Sequence, residues 1–501
     1  MRIASSVAFA LTAAATPASA EWQRASSAHF IIYADESPDK LKAFAEKLER
    51  FDKGVRVSRS MKDPPVGDGN RLTVFVVPGA LDVRILQPGT GGNTAGFYIP
   101  RFWGSLAVVP RLLPTNSTSD PETIFFHEYA HHLMFSDYST PIPTWLVEGF
   151  AEFMSTADIL KDGSVGLGRA AAHRAGALRR LDREKVALSV LLGGERLRDS
   201  YSVSALYARG WLLAHYLTFS APRHGQIEAY LAAIAAGRPQ LDAARNVFGD
   251  LGQLDQELDK YLRSDKLPYF TVPAALVRID TVTVEPLGRG ARDYMSLLMK
   301  LQVGVDQNQR AKFAADARRL AATYADDPLM AMILAAAEIY ADNFVAGDGA
   351  ADRAIALNPK SAEALILKGR AIVGRAKAGD KAVTFANARG LFNRANRLDP
   401  ENPEPLVLFY RSFIEERVAP TANAITALHY AADLAPHDMG LRLDSARRYL
   451  GDGKPALARA RLLPIAYNPH GGKLAEQAQA LIAQIDSGRI GAVTAPPIPQ
   501  E

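Results

Sequence analysis

Cysteine is absent from all 501 residues, so no disulfide framework holds the fold and no thiolate is available as a nucleophile or ligand. Net charge is nearly absent as well. A formal +4 spread over the whole chain makes no case for nucleic acid or an acidic lipid surface as partner. Beyond the first twenty residues no uninterrupted apolar run is long enough to span a bilayer. Gly91-Gly92-Asn93 is too slight a glycine pattern to cradle a phosphate and reads as a turn. What remains, with 48% hydrophobic content, is ordinary globular material, enough for two or three domains.

The first twenty residues stand apart. Arg2 precedes an alanine-rich apolar run from Ile3 to about Ala15, and Ala18-Ser19-Ala20 ends the stretch. A basic start, an apolar core too short to cross a membrane and an A-x-A site read as a cleaved secretory signal. The expectation is an exported protein, periplasmic or extracellular, with no membrane span after cleavage.

The chemistry is concentrated between Asp120 and Met154. His127, Glu128 and His131 form HExxH, and Glu148 and Glu152 follow a Pro-interrupted loop. Asp120 and Pro121 give an N-cap and a proline at the first helical position, so the motif falls within a helix. Residues four apart share a helix face, which is the spacing of two metal ligands. Glu128 lies one step round, where it reaches a water on the metal without binding the metal. His132 points about 100° away from His131 and reads as a bystander. Pro141 and Pro143 break the chain, Thr144 is the expected cap of a second helix, and Trp145, Leu146, Phe150 and Phe153 pack it. Two helices joined by a tight loop bring Glu148 to the histidines. Three protein ligands with one open position describe a catalytic zinc site; a structural site is closed by four. The plain alternative, satisfied histidines beside an exposed acidic face, fits poorly with carboxylates set among so many aromatics.

HEYAH followed by WLVEGFAEF resembles the gluzincin metallopeptidases, and WLxEGFA is similar to the third-ligand segment of the alanyl aminopeptidase branch. The resemblance implies one Zn²⁺ held by His127, His131 and Glu148, with Glu128 as general base. It makes Glu152 the carboxylate that orients a ligating histidine. Tyr207-Ala-Arg-Gly-Trp resembles the segment whose tyrosine stabilises the oxyanion, which implies that role for Tyr207. The other reading of Tyr207 is a buried helix tyrosine, with Tyr201 as fallback; Arg209, His173 and His215 read as structural. The GxMEN segment of the aminopeptidase branch has no counterpart between Glu21 and Asp120, so an endopeptidase is expected over an aminopeptidase.

The rest of the chain divides around this module. His29–Tyr33, Leu72–Val77 and Leu106–Val109 read as strands, and Ser37-Pro38 opens a helix with apolar positions at Leu41, Phe44, Leu48, Phe51 and Val55. Leu106–Val109 is either the cleft edge that pairs with an extended substrate or a plain sheet member. Residues 171–181, 206–217, 224–236 and 254–262 carry helical spacing. Alternating Val277, Ile279, Val282 and Val284 among prolines suggest a hairpin or an extended connector over 267–290.

Beyond the connector, Ala354-x-x-Leu357-x-Pro359 recurs at Ala395 to Pro400 and Ala431 to Pro436, with weaker marks at Pro328 and Pro469. The spacing and Ala362–Ala371, with Gly369 where two helices would approach, resemble tetratricopeptide repeats. The long interval from Pro359 to Pro400 implies an inserted or lengthened helix pair. The other reading is an alanine-rich bundle that braces the first module.

The expected organisation is therefore α+β. A signal at 1–20 precedes a gluzincin-like domain at 21–266, with an α/β part at 21–120 and a helical part at 121–266. A connector at 267–290, an all-α repeat solenoid at 291–487 and a disordered tail at 488–501 follow. The expected activity is cleavage of a peptide or protein substrate, with the repeats binding substrate or a protein partner. The alternative is an inactive zinc-binding adaptor of the cell envelope.

Overall fold

The computed structural model describes residues 21–88, 96–113, 120–137, 141–180, 186–194, 200–468 and 471–489. The expected signal, the turn at 91–93, Pro469 and most of the expected tail lie outside the described residues. The protein is α+β.

Six strands form a mixed sheet. They are β1 (Trp22–Ser26), β2 (Phe30–Asp35), β3 (Leu72–Gly79), β4 (Phe97–Ile99), β5 (Leu106–Leu112) and, from far along the chain, Thr283–Pro286. The order is β4-β5-β3-β2-β1 and then Thr283–Pro286. β2, β3 and β5 run parallel, while β4 pairs antiparallel with β5. Helix α1 (Pro38–Arg59) makes the crossover from β2 to β3, burying Leu41, Leu48, Phe51 and Val55 at the expected spacing.

The strand at Leu106–Val109 is an interior member of this sheet, and β4 is the edge. The three-residue β4 escaped sequence reading because it is too short to show alternation. Both faces of the sheet are covered: Val74, Ala107 and Val109 belong to the core shared with α1, whereas Phe75, Leu106 and Val108 point to the opposite core. Burial on both sides explains why β5 reads as an unbroken apolar run.

Short helix α2 (Ala80–Leu86) precedes the helices that carry the motif, α3 (Pro121–Asp137) and α4 (Thr144–Ser155). β6 (Asp158–Ile159), β7 (Val165–Leu167) and β8 (Phe270–Val272) form a second, three-stranded sheet. Between β7 and β8 run α5 (Ala175–Arg180), α6 (Leu188–Leu191), α7 (Ser200–Phe219), α8 (Gln226–Ala235), α9 (Gln240–Phe248) and α10 (Leu251–Leu262). The stretch before α5 is a short 3-10 turn, Ala172–Arg174, rather than the start of one continuous helix. Thr283–Pro286, hereafter β9, pairs with β1. The connector therefore holds no hairpin: its two strands, β8 and β9, complete different sheets.

Eleven further helices follow: α11 (Ala291–Val303), α12 (Arg310–Thr323), α13 (Pro328–Tyr340), α14 (Phe344–Leu357), α15 (Ala362–Lys377), α16 (Phe385–Leu398), α17 (Pro403–Glu415), α18 (Ala422–Leu434), α19 (Met439–Gly451), α20 (Pro455–Ala466) and α21 (Gly472–Asp486). Each packs on the next, and alternate helices such as α13 and α15 also touch. Residues of α11, α12 and α13 share the second core of the six-stranded sheet. The repeated alanines Ala354, Ala395 and Ala431 are fully buried, whereas Leu398 is 46% exposed; the small residue is what close helix packing requires here. A Cβ on Gly369 would lie 2.3 Å from Phe392 Cε1, so α15 and α16 do approach closely there. The interval from Pro359 to Pro400 holds the 16-residue α15, the loop that follows it and the 14-residue α16.

Candidate metal centre

Helix α3 is fixed before any metal is considered. Asp120 caps it, accepting from the Thr123 amide at 2.7 Å. On its outer side Phe126 stacks on Phe51 of α1 at 4.0 Å, and the Tyr129 hydroxyl donates to buried Asp52 at 2.8 Å. These contacts turn the opposite side, with His127 and His131, toward α4. Thr144 is the first residue of α4 rather than its cap. Pro143 occupies the cap position, and its carbonyl accepts from the Leu146 and Val147 amides at 2.9 and 3.0 Å.

The two helices bring three side chains to one point. His127 Nε2 and His131 Nε2 are 3.2 Å apart, and Glu148 Oε2 lies 3.6 and 3.5 Å from them. Tetrahedral zinc with bonds of about 2.0–2.1 Å spaces its ligand atoms about 3.3–3.4 Å apart, so this triangle has the size that the ion requires. Two imidazoles and one carboxylate suit zinc and similar transition metals, whereas calcium and magnesium favour oxygen alone. His131 and Glu148 are 5% and 1% exposed.

Glu152, one turn after Glu148, lies 3.2 Å from His127 Nδ1. It is held in turn by His173 Nε2 at 2.7 Å and by the Arg174 guanidinium, whose Nε donates at 2.9 Å. Burial works against its charge, but His127, His173 and Arg174 outweigh that and hold the carboxyl far below its usual range. Burial likewise opposes a proton on His127, yet Glu148 and Glu152 push its pKa up to about 10. A cation arriving between the rings meets the same carboxylates.

Tyr207 sits in the second turn of α7, not at a helix start, because α7 begins at Ser200. Its ring is 5.8 Å from that of His127, and the Arg174 guanidinium lies 4.9 Å over its face. Burial, Glu148 and Glu128 all raise its pKa, which keeps the hydroxyl protonated. Tyr201 is in the first turn of α7, and its side chain lies outside what is described.

A cleft of about 690 Å³ opens over His127 and His131 of the converging trio. Glu128 and Tyr207 line it beside His127 and His131, as do Phe97 and Tyr98 of the edge strand. The far wall comes from α17, α19 and α21.

His132 stays away from the convergence point but is no bystander to the fold. Its Nδ1 lies 2.7 Å from the Tyr98 hydroxyl, and its ring sits 4.7 Å from that of buried His437, just before α19. Burial lowers both histidines' pKa, His437's to about 4, so two neutral rings meet without repulsion. Beside them, Asp438 caps α19 through the Leu441 amide at 2.8 Å and accepts from the Phe102 amide at 2.9 Å. Asp399, in the turn before α17, accepts from the Asp68 and Gly69 amides at 3.1 and 2.9 Å.

Sequence reading missed Arg174, for which there was no signal, and the Pro-x-Asp and Pro-x-Asn turns, for which there was. Asn402 and Asp438 each follow a repeat proline by two residues and cap the next helix. Of the three residues read as structural, His173 reaches Glu152 at 2.7 Å, while Arg209 and His215 make other contacts. Arg209 binds the Val186 carbonyl and Asp255, and His215 bridges Tyr261 and the Gly168 carbonyl at 2.8 Å each.

A second group, His29, Asp52 and Asp63, also converges. It already holds cations of its own: Arg56 Nε donates to both oxygens of Asp52 at 2.9 and 2.8 Å, and Lys53 binds Asp63. That network reads as a structural ion cluster.

The chain matches no family model and no curated protein.

Proposed function

We propose that the protein is an exported zinc peptidase of gluzincin type, an endopeptidase, whose tetratricopeptide-like helices form part of the substrate cleft. One observation carries this reading: the triangle of 3.2, 3.6 and 3.5 Å between His127, His131 and Glu148, open on its fourth side to a cleft that Glu128 and Tyr207 also line.

Zinc held there supplies a Lewis acid and brings the pKa of water toward about 7. Glu128 takes a proton from the attacking water and passes it to the amine as the carbon–nitrogen bond breaks. The Tyr207 hydroxyl donates to the substrate oxyanion. Glu152, clamped by His173 and Arg174, fixes the His127 ring through Nδ1 and so sets the direction of Nε2. β4, as the sheet edge, offers backbone groups to an extended peptide.

Zinc content and casein digestion, with and without chelator, test this together with Glu128→Gln. The expected result is one equivalent of zinc in both proteins and chelator-sensitive cleavage by the parent alone. Folded protein that takes up no zinc, or a Glu128→Gln variant with undiminished cleavage, would overturn the reading.

A further inference from the structure

The cleft walls carry few charges, and nearly all of them have an assigned partner or task. At the metal end, His127 and His131 belong to the converging trio and Glu128 to proton transfer. On the helical wall, Asp438 is spent on the α19 cap and the Phe102 amide. Arg411 Nη2 binds Asp444 at 3.3 Å, and the same carboxylate also feels the charge of Arg447. One carboxylate thus serves two guanidiniums, and Arg447, one turn beyond Asp444 on the same face of α19, is the one without a direct bond to it. It lines the cleft, is half-buried, and donates to the Gln477 amide oxygen at 3.2 Å. Among the described residues no carboxylate lies within ion-pair distance of it.

We infer that Arg447 is a specificity-determining residue that receives a carboxylate of the substrate, making the preferred substrate an acidic peptide. This rests on the trio's cleft being the substrate site. The physical reason is charge economy. A half-buried guanidinium facing a neutral amide gains more from a carboxylate, which accepts two parallel N–H bonds, than it loses by releasing Gln477. A carboxylate received by Arg447 sets that part of the peptide against α19, on the wall that faces the metal end. The carboxylate can come from an Asp or Glu side chain or from a free C-terminus.

The test uses the full chain carrying Glu128→Gln, so that binding is read without turnover. Short fluorescein-labelled peptides carry a single Glu moved along the sequence. Each is paired with its Gln isostere and made with a free or amidated C-terminus. The expected result is about ten- to hundredfold tighter binding of the carboxylate-bearing peptide at one position. Adding Arg447→Gln should abolish that preference, and Arg447→Glu should transfer it to a Lys peptide. Sensitivity to amidation alone assigns the carboxylate to a C-terminus; sensitivity to Glu position assigns it to a side chain. With Glu128 intact, Arg447→Gln should raise KM for the acidic peptide and leave kcat unchanged. Equal binding of Glu and Gln peptides by the parent, no binding of any acidic peptide, or a preference that survives Arg447→Glu overturns the inference. If no peptide is cleaved but the Arg447-dependent preference persists, the hydrolytic reading fails and this one stands.

Discussion

A Cβ placed on Gly149 would lie 2.4 Å from the carbonyl oxygen of Gly210. The helix that delivers Glu148 and the helix that delivers Tyr207 thus cross at two glycines, backbone against backbone. Gly210 is bound from the other side, where its own Cβ would meet the Trp145 carbonyl oxygen at 2.6 Å. This crossing explains physically why EGFAE and YARG each contain their glycine. It sets how closely the Tyr207 helix approaches the helix of Glu148.

Alanine at either position should force α4 and α7 apart. Gly149→Ala and Gly210→Ala are expected to cost about 1–3 kcal/mol in denaturant unfolding, despite alanine's better helix propensity. Gly390→Ala is the control. It lies within α16 with no atom within 4 Å of its added Cβ, so it should gain up to about 1 kcal/mol.

In the proposed zinc centre Glu152 acts through His127. Glu152→Ala should weaken zinc affinity about 10- to 100-fold in chelator competition, with the protein still folded. Arg174→Ala, which loosens Glu152 while leaving it present, should have a smaller effect in the same direction. Unchanged zinc affinity in Glu152→Ala would remove its orienting role.

The ion cluster around His29, on the α1 side of α3, predicts a pH dependence. Burial disfavours charge on His29, but Asp52, Asp63 and Glu49 outweigh it and push its pKa up to about 10. A folded pKa above the unfolded value of about 6.5 stabilises the fold fully below about pH 6.5, and that stabilisation is lost as pH rises through about 10. Denaturant stability should fall over this window by at most about 1.4 kcal/mol per pH unit from this group. His29→Gln should flatten the slope.

Asp438 joins the two halves at the cleft. Asp438→Ala removes the α19 cap and the partner of the Phe102 amide, and should cost about 1–2 kcal/mol. Hydrogen exchange should then speed up at the Phe102 amide in particular. Acceleration confined to α19 would show that the cap alone matters.

Legibility followed the range of the interactions. HExxH, the Asp120 cap and the periodicity of α1 are local patterns, and each names its helix directly. Glu148 and Glu152 could be singled out because WLVEGFAEF resembles a third-ligand segment and because unpaired carboxylates among such aromatic neighbours would be costly. The edge position of β4, the separation of β8 and β9 into different sheets, and the covering of the sheet by α11 to α13 are not local. They depend on pairings between segments far apart in the chain, and no residue pattern within either segment encodes its partner.

By itself the sequence determined which side chains could bind a cation and that they sit on helices, because ligand chemistry and helical spacing are properties of a few consecutive residues. Only the tertiary structure decided that three ligand atoms stand about one zinc ligand spacing apart, and that His173 and Arg174 clamp Glu152. It alone placed Arg447 across the cleft from Glu128. Those distances arise from how helices cross, and crossings are fixed by packing between elements that lie far apart in the chain.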